Sequence, residues 1–156
     1  MIRDAHQSDL PVLAAATLRL QEAHVGAFPD VFRPFDLNDA LRNMSDLVSR
    51  SDAFVRVAVE EDTVVGHAVF LIETKPETLF TYEQRVGQIS QLEVEPDFRR
   101  QGYGRLLIAD CEQIAASQGL SRVELSVWDF NDSAKAFYEA VGFREFSRKM
   151  SKSLHK

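Results

Sequence analysis

The chain has 156 residues, of which 45% are hydrophobic and 27% charged, and its formal net charge is −6. This composition predicts a single globular domain over 1–156, and the acidic charge argues against nucleic-acid binding, which usually needs a basic surface. No apolar run is long enough to cross a bilayer, and the single cysteine, Cys111, excludes an internal disulfide framework and predicts a cytoplasmic protein.

The first half of the chain is expected to form a short strand, two helices and a β-hairpin. Ser8 or Asp9 can cap the first helix, and Gly26 and Pro29 are expected to end it near His24. Alternating apolar residues predict the first strand of the hairpin, and the second returns after a turn at Glu61-Asp62. The expected bounds are a strand at 2–3, helices over about 10–24 and 38–50, and strands over 53–60 and 64–73.

The second half of the chain alternates strands and helices. Gly119 is expected to stop the longer helix, Asn131 to cap the shorter one and Gly142 to end it. This order of elements predicts a mixed sheet with helices on both faces. The expected bounds are strands over 86–95, 122–128 and 143–150, and helices over about 103–118 and 132–140.

The turn between the strand that stops at Pro96 and the next helix favours an anion site. Gly102 and Gly104 permit unusual dihedrals or the close approach of a ligand. Free N–H groups at a helix N-terminus bind phosphate, and three arginines surround this turn: Arg99, Arg100 and Arg105. The alternative is that the glycines only make a tight turn. A dinucleotide fingerprint would need a third glycine where Leu107 stands, and no Walker loop is present.

Two motifs around this turn resemble the GCN5-related N-acetyltransferase superfamily, over residues 86–146. They read Leu92-x-Val94-x-Pro96-x-x-Arg99-x-x-Gly102-x-Gly104 and Asn131-x-x-Ala134-x-x-Phe137-Tyr138-x-x-x-Gly142-Phe143. The resemblance implies an α/β (α+β) fold: a single mixed, mostly antiparallel sheet of six or seven strands, flanked by about four helices. It further implies that a cofactor-binding core at about 86–146 and acceptor-side elements at about 8–50 transfer acetyl from acetyl-CoA to a primary amine. Transfer would occur by direct attack in a ternary complex, and many such proteins form homodimers.

The same resemblance implies which residues meet acetyl-CoA. The strand at 92–94 would splay from the strand at 122–128, so that freed main-chain groups bond the pantetheine arm and the acetyl carbonyl, and the glycine turn would hold the pyrophosphate. Tyr138 would lie near the thioester sulfur, although it could simply pack beside Phe137 on an amphipathic helix. The matching cofactor positions are Leu92, Glu93, Val94, Arg99, Arg100, Gln101, Gly102, Tyr103, Gly104, Arg105, Asn131 and Tyr138.

An amine must lose a proton before it attacks, because an alkyl amine with a pKa of about 10.4 is mostly protonated at neutral pH. Glu93 is the one carboxylate inside the apolar part of its strand, and it is the candidate general base. The alternatives are that Glu93 faces solvent or that only its main chain takes part. Tyr138 is the candidate acid for the leaving thiolate.

The acceptor is less well defined by the sequence. The negative charge favours a small cationic amine, with a protein amine as the alternative. Residues that could wall its pocket are His24, Phe28, Asp30 and Trp128, and the alternative is that the phenylalanines there only pack the loop. The four histidines lack ligand spacing, so no metal site is predicted. Two other functions stay open: a non-catalytic acyl-CoA-binding module and, more remotely, a nucleotide-binding oxidoreductase.

Overall fold

A computed structural model of the chain describes residues 1–155, which divide into two compact units. The first unit, Met1–Ser126, contains a sheet with strand order β1-β2-β3-β4-β5. The second unit begins at Val127 and contains one helix. The elements are β1 (Ile2–Asp4), α1 (Leu10–Ala27), α2 (Leu37–Ser49), β2 (Ala53–Glu60), β3 (Thr63–Lys75), β4 (Gln84–Val94), α3 (Tyr103–Ser117), β5 (Val123–Leu125) and α4 (Asp132–Ala140).

The sheet is mixed and mostly antiparallel, as predicted. Consecutive strands pair antiparallel from β1 to β4, because each is followed by a turn or by helices that return the chain. β5 adds to the edge of β4 in parallel, after the α3 crossover. The mixed sheet with about four helices is therefore confirmed, but it has five strands in the described residues rather than six or seven.

Two of the expected strands differ from the prediction. The strand expected over 143–150 does not form, and Phe146 there is 74% exposed. Its phenylalanines are spaced by three residues, 143 and 146, which breaks the period of two that a half-buried strand requires. The strand expected over 122–128 is reduced to Val123–Leu125, because its pairing stops where Leu125 lies opposite Ile89.

Helices cover both faces of the sheet in the first unit. Side chains of α1 and α2 form one buried cluster with β2 and β3, which includes Leu13, Met44, Val57 and Val69. α3 packs on the opposite face, against β3 and β4. Gly66 of β3 shows this, since a Cβ there would lie 3.4 Å from the Leu107 side chain of α3. Burial against this face raises the pKa of the Cys111 thiol to about 12, as expected for an inert thiol.

α1 is three residues longer than expected, because Gly26 is accommodated inside it and the helix ends only at Ala27. A single glycine costs a helix about 1 kcal/mol relative to alanine, which the packing of α1 on α2 can offset. Within residues 1–155, none of the helices is both long enough and apolar enough to cross a membrane.

Candidate active site

The end of β4 carries an edge that is covered by no strand of the described residues, 1–155. The ladder between β4 and β5 ends at Ile89, while the ladder between β4 and β3 continues to Val94. An extra residue in β4, Ser90, makes a β-bulge opposite Val69 and Phe70. A bulge bends and twists its strand, which explains why β4 and β5 diverge from this point. Beyond Ile89, β4 has an uncovered edge within the first unit.

Leu92 and Val94 turn their main-chain groups toward this open edge. The N–H of Glu95 donates to Val65 O on the β3 side at 2.8 Å. Because successive residues of a strand point their main-chain groups to opposite edges, those of Leu92 and Val94 point away from β3. The arrangement supplies directed main-chain groups that an extended ligand arm could bond: the N–H groups of both residues and the Leu92 carbonyl, since Val94 O already accepts from Arg99 Nε.

The turn after β4 leaves a series of main-chain N–H groups without acceptors. Arg100 and Gly102 take left-handed dihedrals, with φ of 61° and 91°, and Gly102 is the N-cap of α3. The N–H groups of residues 100–105 donate to no acceptor within residues 1–155, and the first bond of the helix is from Leu106 to Gly102. Such a row of N–H groups at a helix N-terminus is suited to a phosphate.

Side chains around the turn are held in several ways. Arg99 folds back, and its Nε donates to Val94 O at 3.0 Å. Gln101 Nε2 donates to Asp97 O at 3.2 Å. Glu60 raises the pKa of the Tyr103 phenol through a side-chain hydrogen bond. Arg100 and Arg105 are exposed beside the free N–H groups.

A buried carboxylate lies on the α1 face of β4. The Glu93 side chain is 9% exposed and pairs with Arg19 of α1. The same Arg19 group reaches Glu95 Oε1 at 3.2 Å. Burial raises the pKa of Glu93, and the hydrogen bond from Arg19 opposes that rise. The Glu93 side chain thus lies against a helix rather than in solvent.

A cluster of three polar side chains, those of Thr17, His67 and Gln91, lies beside this carboxylate. Thr17 Oγ1 is 3.1 Å and His67 Nε2 is 3.2 Å from Gln91 Oε1, so that α1, β3 and β4 meet in one array. His67 is 2% exposed and faces Glu93 across the ladder. Burial lowers the pKa of His67, so the imidazole is neutral at physiological pH.

Sequence reasoning missed Arg19, Thr17 and His67. In the sequence His67 is one of four scattered histidines, yet it interrupts an apolar strand and its neighbours pack in the core. An ionisable residue inside an apolar strand is a signal that could have found it. Arg19 has no comparable local signal, because its partners lie more than 70 residues away in the chain.

The predicted acceptor residues of the first unit lie at and beyond the end of α1. His24 Nδ1 is 2.8 Å from Leu20 O, and its ring meets Phe32 edge-on at 4.7 Å between centroids. Phe28 is the C-cap of α1, and Asp30 follows in an exposed turn. His24 and Phe32 are therefore brought together, while Phe28 and Asp30 are exposed.

The second unit holds Asn131, Tyr138 and Trp128. Asn131 caps α4 through a hydrogen bond from the Ala134 N–H at 3.3 Å. The Tyr138 ring packs against Phe137 and Phe143, at 5.4 and 5.8 Å between centroids. Burial raises the pKa of the Tyr138 phenol, so it remains protonated at neutral pH. Trp128 lies just before the turn that leads into α4.

A family model described as the Acetyltransferase (GNAT) family matches residues 17–143, which is most of the chain. A glucosamine 6-phosphate N-acetyltransferase from Trypanosoma brucei brucei is 34% identical over 113 residues, which cover 70% of this chain and 72% of that protein. A thialysine N-epsilon-acetyltransferase from Caenorhabditis elegans is 31% identical over 96 residues, or 57% of this chain and 59% of that one.

Among solved structures, a mutant of the BH1408 protein from Bacillus halodurans superposes with a TM-score of 0.93. It is 28% identical, and the match covers 99% of both chains. The match thus extends along nearly the whole chain, including elements outside the two sequence motifs.

Proposed function

The chain belongs to the acetyltransferase (GNAT) family, whose acetyl donor is acetyl-CoA, and on this premise we propose that it acetylates a small cationic primary amine. Acetyl transfer to amines is the activity for which the named relatives are called N-acetyltransferases. The proposal adds the acceptor class, direct attack in a ternary complex and the residues that take part.

The observation that carries the proposal is the uncovered edge of β4, which runs directly into the turn with free N–H groups. Main-chain groups of Leu92 and Val94 would hold the extended arm of acetyl-CoA, and the N–H groups of 100–105 its pyrophosphate. When bound, the cofactor supplies an activated acetyl carbonyl. An oriented N–H donor at the open edge would stabilise negative charge that develops on that oxygen.

Two side chains are proposed for proton transfer. Glu93 would act as general base, since burial brings the affinity of its carboxylate for a proton closer to what is needed near neutral pH. Tyr138 would act as the acid, because its phenol is protonated at neutral pH and can donate to a thiolate. Asn131, Arg100 and Arg105 are proposed as further cofactor contacts.

The proposed acceptor is a small cationic amine. The net charge of −6 supports a cationic acceptor, and the small amines in the names of the two relatives support a small one. His24, Phe28, Asp30 and Trp128 are proposed to line its site, with a protein amine as the alternative acceptor. The homodimer and the cytoplasmic location remain predictions.

Thermal unfolding with separate additions of acetyl-CoA, CoA, NAD and ATP tests the cofactor assignment. A ligand at about 100 times its dissociation constant stabilises a protein by about 2.7 kcal/mol. For a domain of this size, the midpoint should rise by about 5–10 °C with the two CoA compounds and not with NAD or ATP.

An assay of CoA thiol release with a panel of amines then tests catalysis. Turnover with polyamines, amino sugars or amino acids, and none with peptides, would support a small-amine acceptor. Thermal stabilisation by CoA with no turnover on any amine or peptide would instead favour a non-catalytic acyl-CoA-binding module. The absence of any shift with CoA would contradict the proposed cofactor site.

A further inference from the structure

Arg19 binds the Glu93 carboxylate in an unequal way. Its Nε and one NH2 group approach the same oxygen, Oε1, at 2.8 and 2.7 Å. A guanidinium usually spans both oxygens of a carboxylate with two parallel bonds. Here the terminal nitrogen also turns to Glu95 Oε1 at 3.2 Å, which fixes the guanidinium between two carboxylates.

The second carboxylate oxygen of Glu93, Oε2, takes no part in this contact with Arg19. Oε2 is buried and has no hydrogen-bond partner among residues 1–155. Buried polar atoms without partners are rare in native proteins, and each needs a reason, such as a bound water or a catalytic role. If the Glu93 carboxylate only tied α1 to β4, both of its oxygens would be expected to accept hydrogen bonds from the Arg19 guanidinium.

We propose that Arg19 is a positioning residue for Glu93: it holds Oε1 and leaves Oε2 as the oxygen that accepts the proton of the incoming ammonium group. This inference rests on the proposed function, in which Glu93 is the base. In the step, the nitrogen–hydrogen bond of the ammonium group breaks and its electron pair stays on nitrogen. The proton passes to Oε2, and the Glu93 carboxylate becomes a carboxylic acid.

Charged and titratable groups face Glu93 from every side. Arg19 comes from α1, Glu95 from the end of β4, Arg99 from the turn and His67 from β3. His67 is neutral because it is buried, and Arg99 acts without a direct bond to Glu93. Arg19 is therefore the cation in contact with the carboxylate and the group whose removal should change its protonation most.

The experiment compares wild type with Arg19→Gln, Arg19→Lys and Glu95→Gln. Carbon-13 NMR of the side-chain carboxyl would follow the titration of Glu93 in the free and CoA-bound protein. In parallel, kcat/KM for the amine would be measured from pH 5 to 9 at saturating acetyl-CoA. Comparing variants on one amine cancels the titration of the amine itself.

Loss of the cation in Arg19→Gln should raise the pKa of Glu93 by about one unit or more. The acidic limb of the rate profile should move by the same amount, so that activity falls about tenfold below the limb and recovers above it. Arg19→Lys should keep the limb near its wild-type position. Glu95→Gln removes a negative charge beside Glu93 and should move both titrations slightly downward.

Arg56→Gln is the matched control. Arg56 binds Asp110 with Nε and NH2 at 2.7 and 3.1 Å and also bonds Asp4, so it makes a similar bridge away from β4. This change should lower thermal stability and leave both the Glu93 titration and the position of the acidic limb unchanged.

A rate limb that stays fixed while the NMR pKa of Glu93 moves would overturn the inference and leave Arg19 as a structural tie. An unchanged Glu93 titration in Arg19→Gln would overturn it as well. If wild type acetylates no amine, the proposed function fails and the catalytic part of this inference with it. The NMR titration would still decide whether Arg19 holds the carboxylate.

Discussion

Residues 92–95 of the chain divide two tasks by the alternation of a strand. Glu93 and Glu95 place their side chains against Arg19 of α1, while Leu92 and Val94 expose main-chain groups at the open edge. The same four residues can therefore supply both a titratable group and directed main-chain groups. The bulge at Ser90 sets this alternation, since it shifts the register of every residue that follows.

Tyr138→Phe is expected to separate catalysis from packing. The ring, with its contacts to Phe137 and Phe143, is kept, and only the hydroxyl is lost. If the phenol protonates the leaving thiolate, kcat should fall by about 10²-fold or more while the KM for acetyl-CoA changes little. Steady-state kinetics at saturating amine measures both constants.

Tyr82→Phe is the control for that substitution, because Tyr82 is exposed in the loop between β3 and β4. It makes the same chemical change and should leave both constants at their wild-type values. Equal kcat in Tyr138→Phe and wild type would show that Tyr138 serves packing alone.

At the scale of single residues, the sequence can predict those that stand out from their neighbours in the chain. Glu93 stands out in the sequence as a carboxylate within an apolar strand, and the structure places its side chain against α1 rather than in solvent. Arg19 could not be identified in this way, since its importance arises from a contact with a strand 74 residues away. Long-range pairs of this kind depend on the packing of α1 over the sheet, which no local pattern encodes.

β4, the turn and α3 form one continuous segment of the chain around the proposed cofactor site. The strand ends at Val94, a short 3₁₀ turn over Pro96–Phe98 follows, and α3 begins after Gly102. The left-handed dihedrals at Arg100 and Gly102 point successive N–H groups outward from the chain. The dihedral at Gly102 is one that residues with a Cβ rarely adopt.

Gly102→Val is expected to impair CoA binding. The space around a Cβ at this position is open, so the cost arises from the φ of 91° rather than from a clash. Valine would move the turn toward negative φ and turn the N–H groups away from a common ligand, because β-branched residues strongly disfavour this region. Isothermal titration with CoA should show affinity reduced by about tenfold or more.

Gly119→Val is the matched variant at the other end of the same helix. Gly119 has a φ of 71° and open space around its Cβ position, so the two substitutions should destabilise the fold by similar amounts. CoA affinity should remain near wild type in Gly119→Val. A similar loss of affinity in both variants would show that destabilisation, and not the turn itself, weakens binding.

Elements with a strong period were predicted well, and those that depend on distant partners were not. The bounds of β2 and α4 match the expected 53–60 and 132–140. The alternation of β2 and the cap of α4 are both features of the local sequence. The strand expected over 122–128 shrank to three residues, because the bulge in β4 removed its partner. The sequence of β5 alone carries no record of that bulge.

Across the first unit, ion pairs tie the N-terminal strand to its surroundings. Arg56 joins β2 to Asp4 of β1 and to Asp110 of α3. Asp9, at the start of α1, accepts from Arg3 NH1 at 2.7 Å and from the His6 N–H at 2.7 Å. Nine-tenths of the Asp9 side chain is buried, so these bonds have little competition from water.

Asp9→Asn should lower stability at neutral pH and have less effect in acid. The hydrogen bond from Arg3 holds the pKa of Asp9 below its usual range, so the stabilisation is present above the unfolded-state pKa of about 3.9. It is lost as pH falls through the lower pKa of the folded state. Urea unfolding should show Asp9→Asn less stable by about 1.5–3 kcal/mol at pH 7, because hydrogen bonds to charged groups contribute that much. The difference should shrink below pH 4.

Asp52→Asn, which removes the carboxylate of an exposed arginine pair, is the control and should change stability little at any pH. A deficit in Asp9→Asn that stays constant down to the lowest pH at which wild type is folded would show that packing, and not the charge on Asp9, stabilises the start of α1.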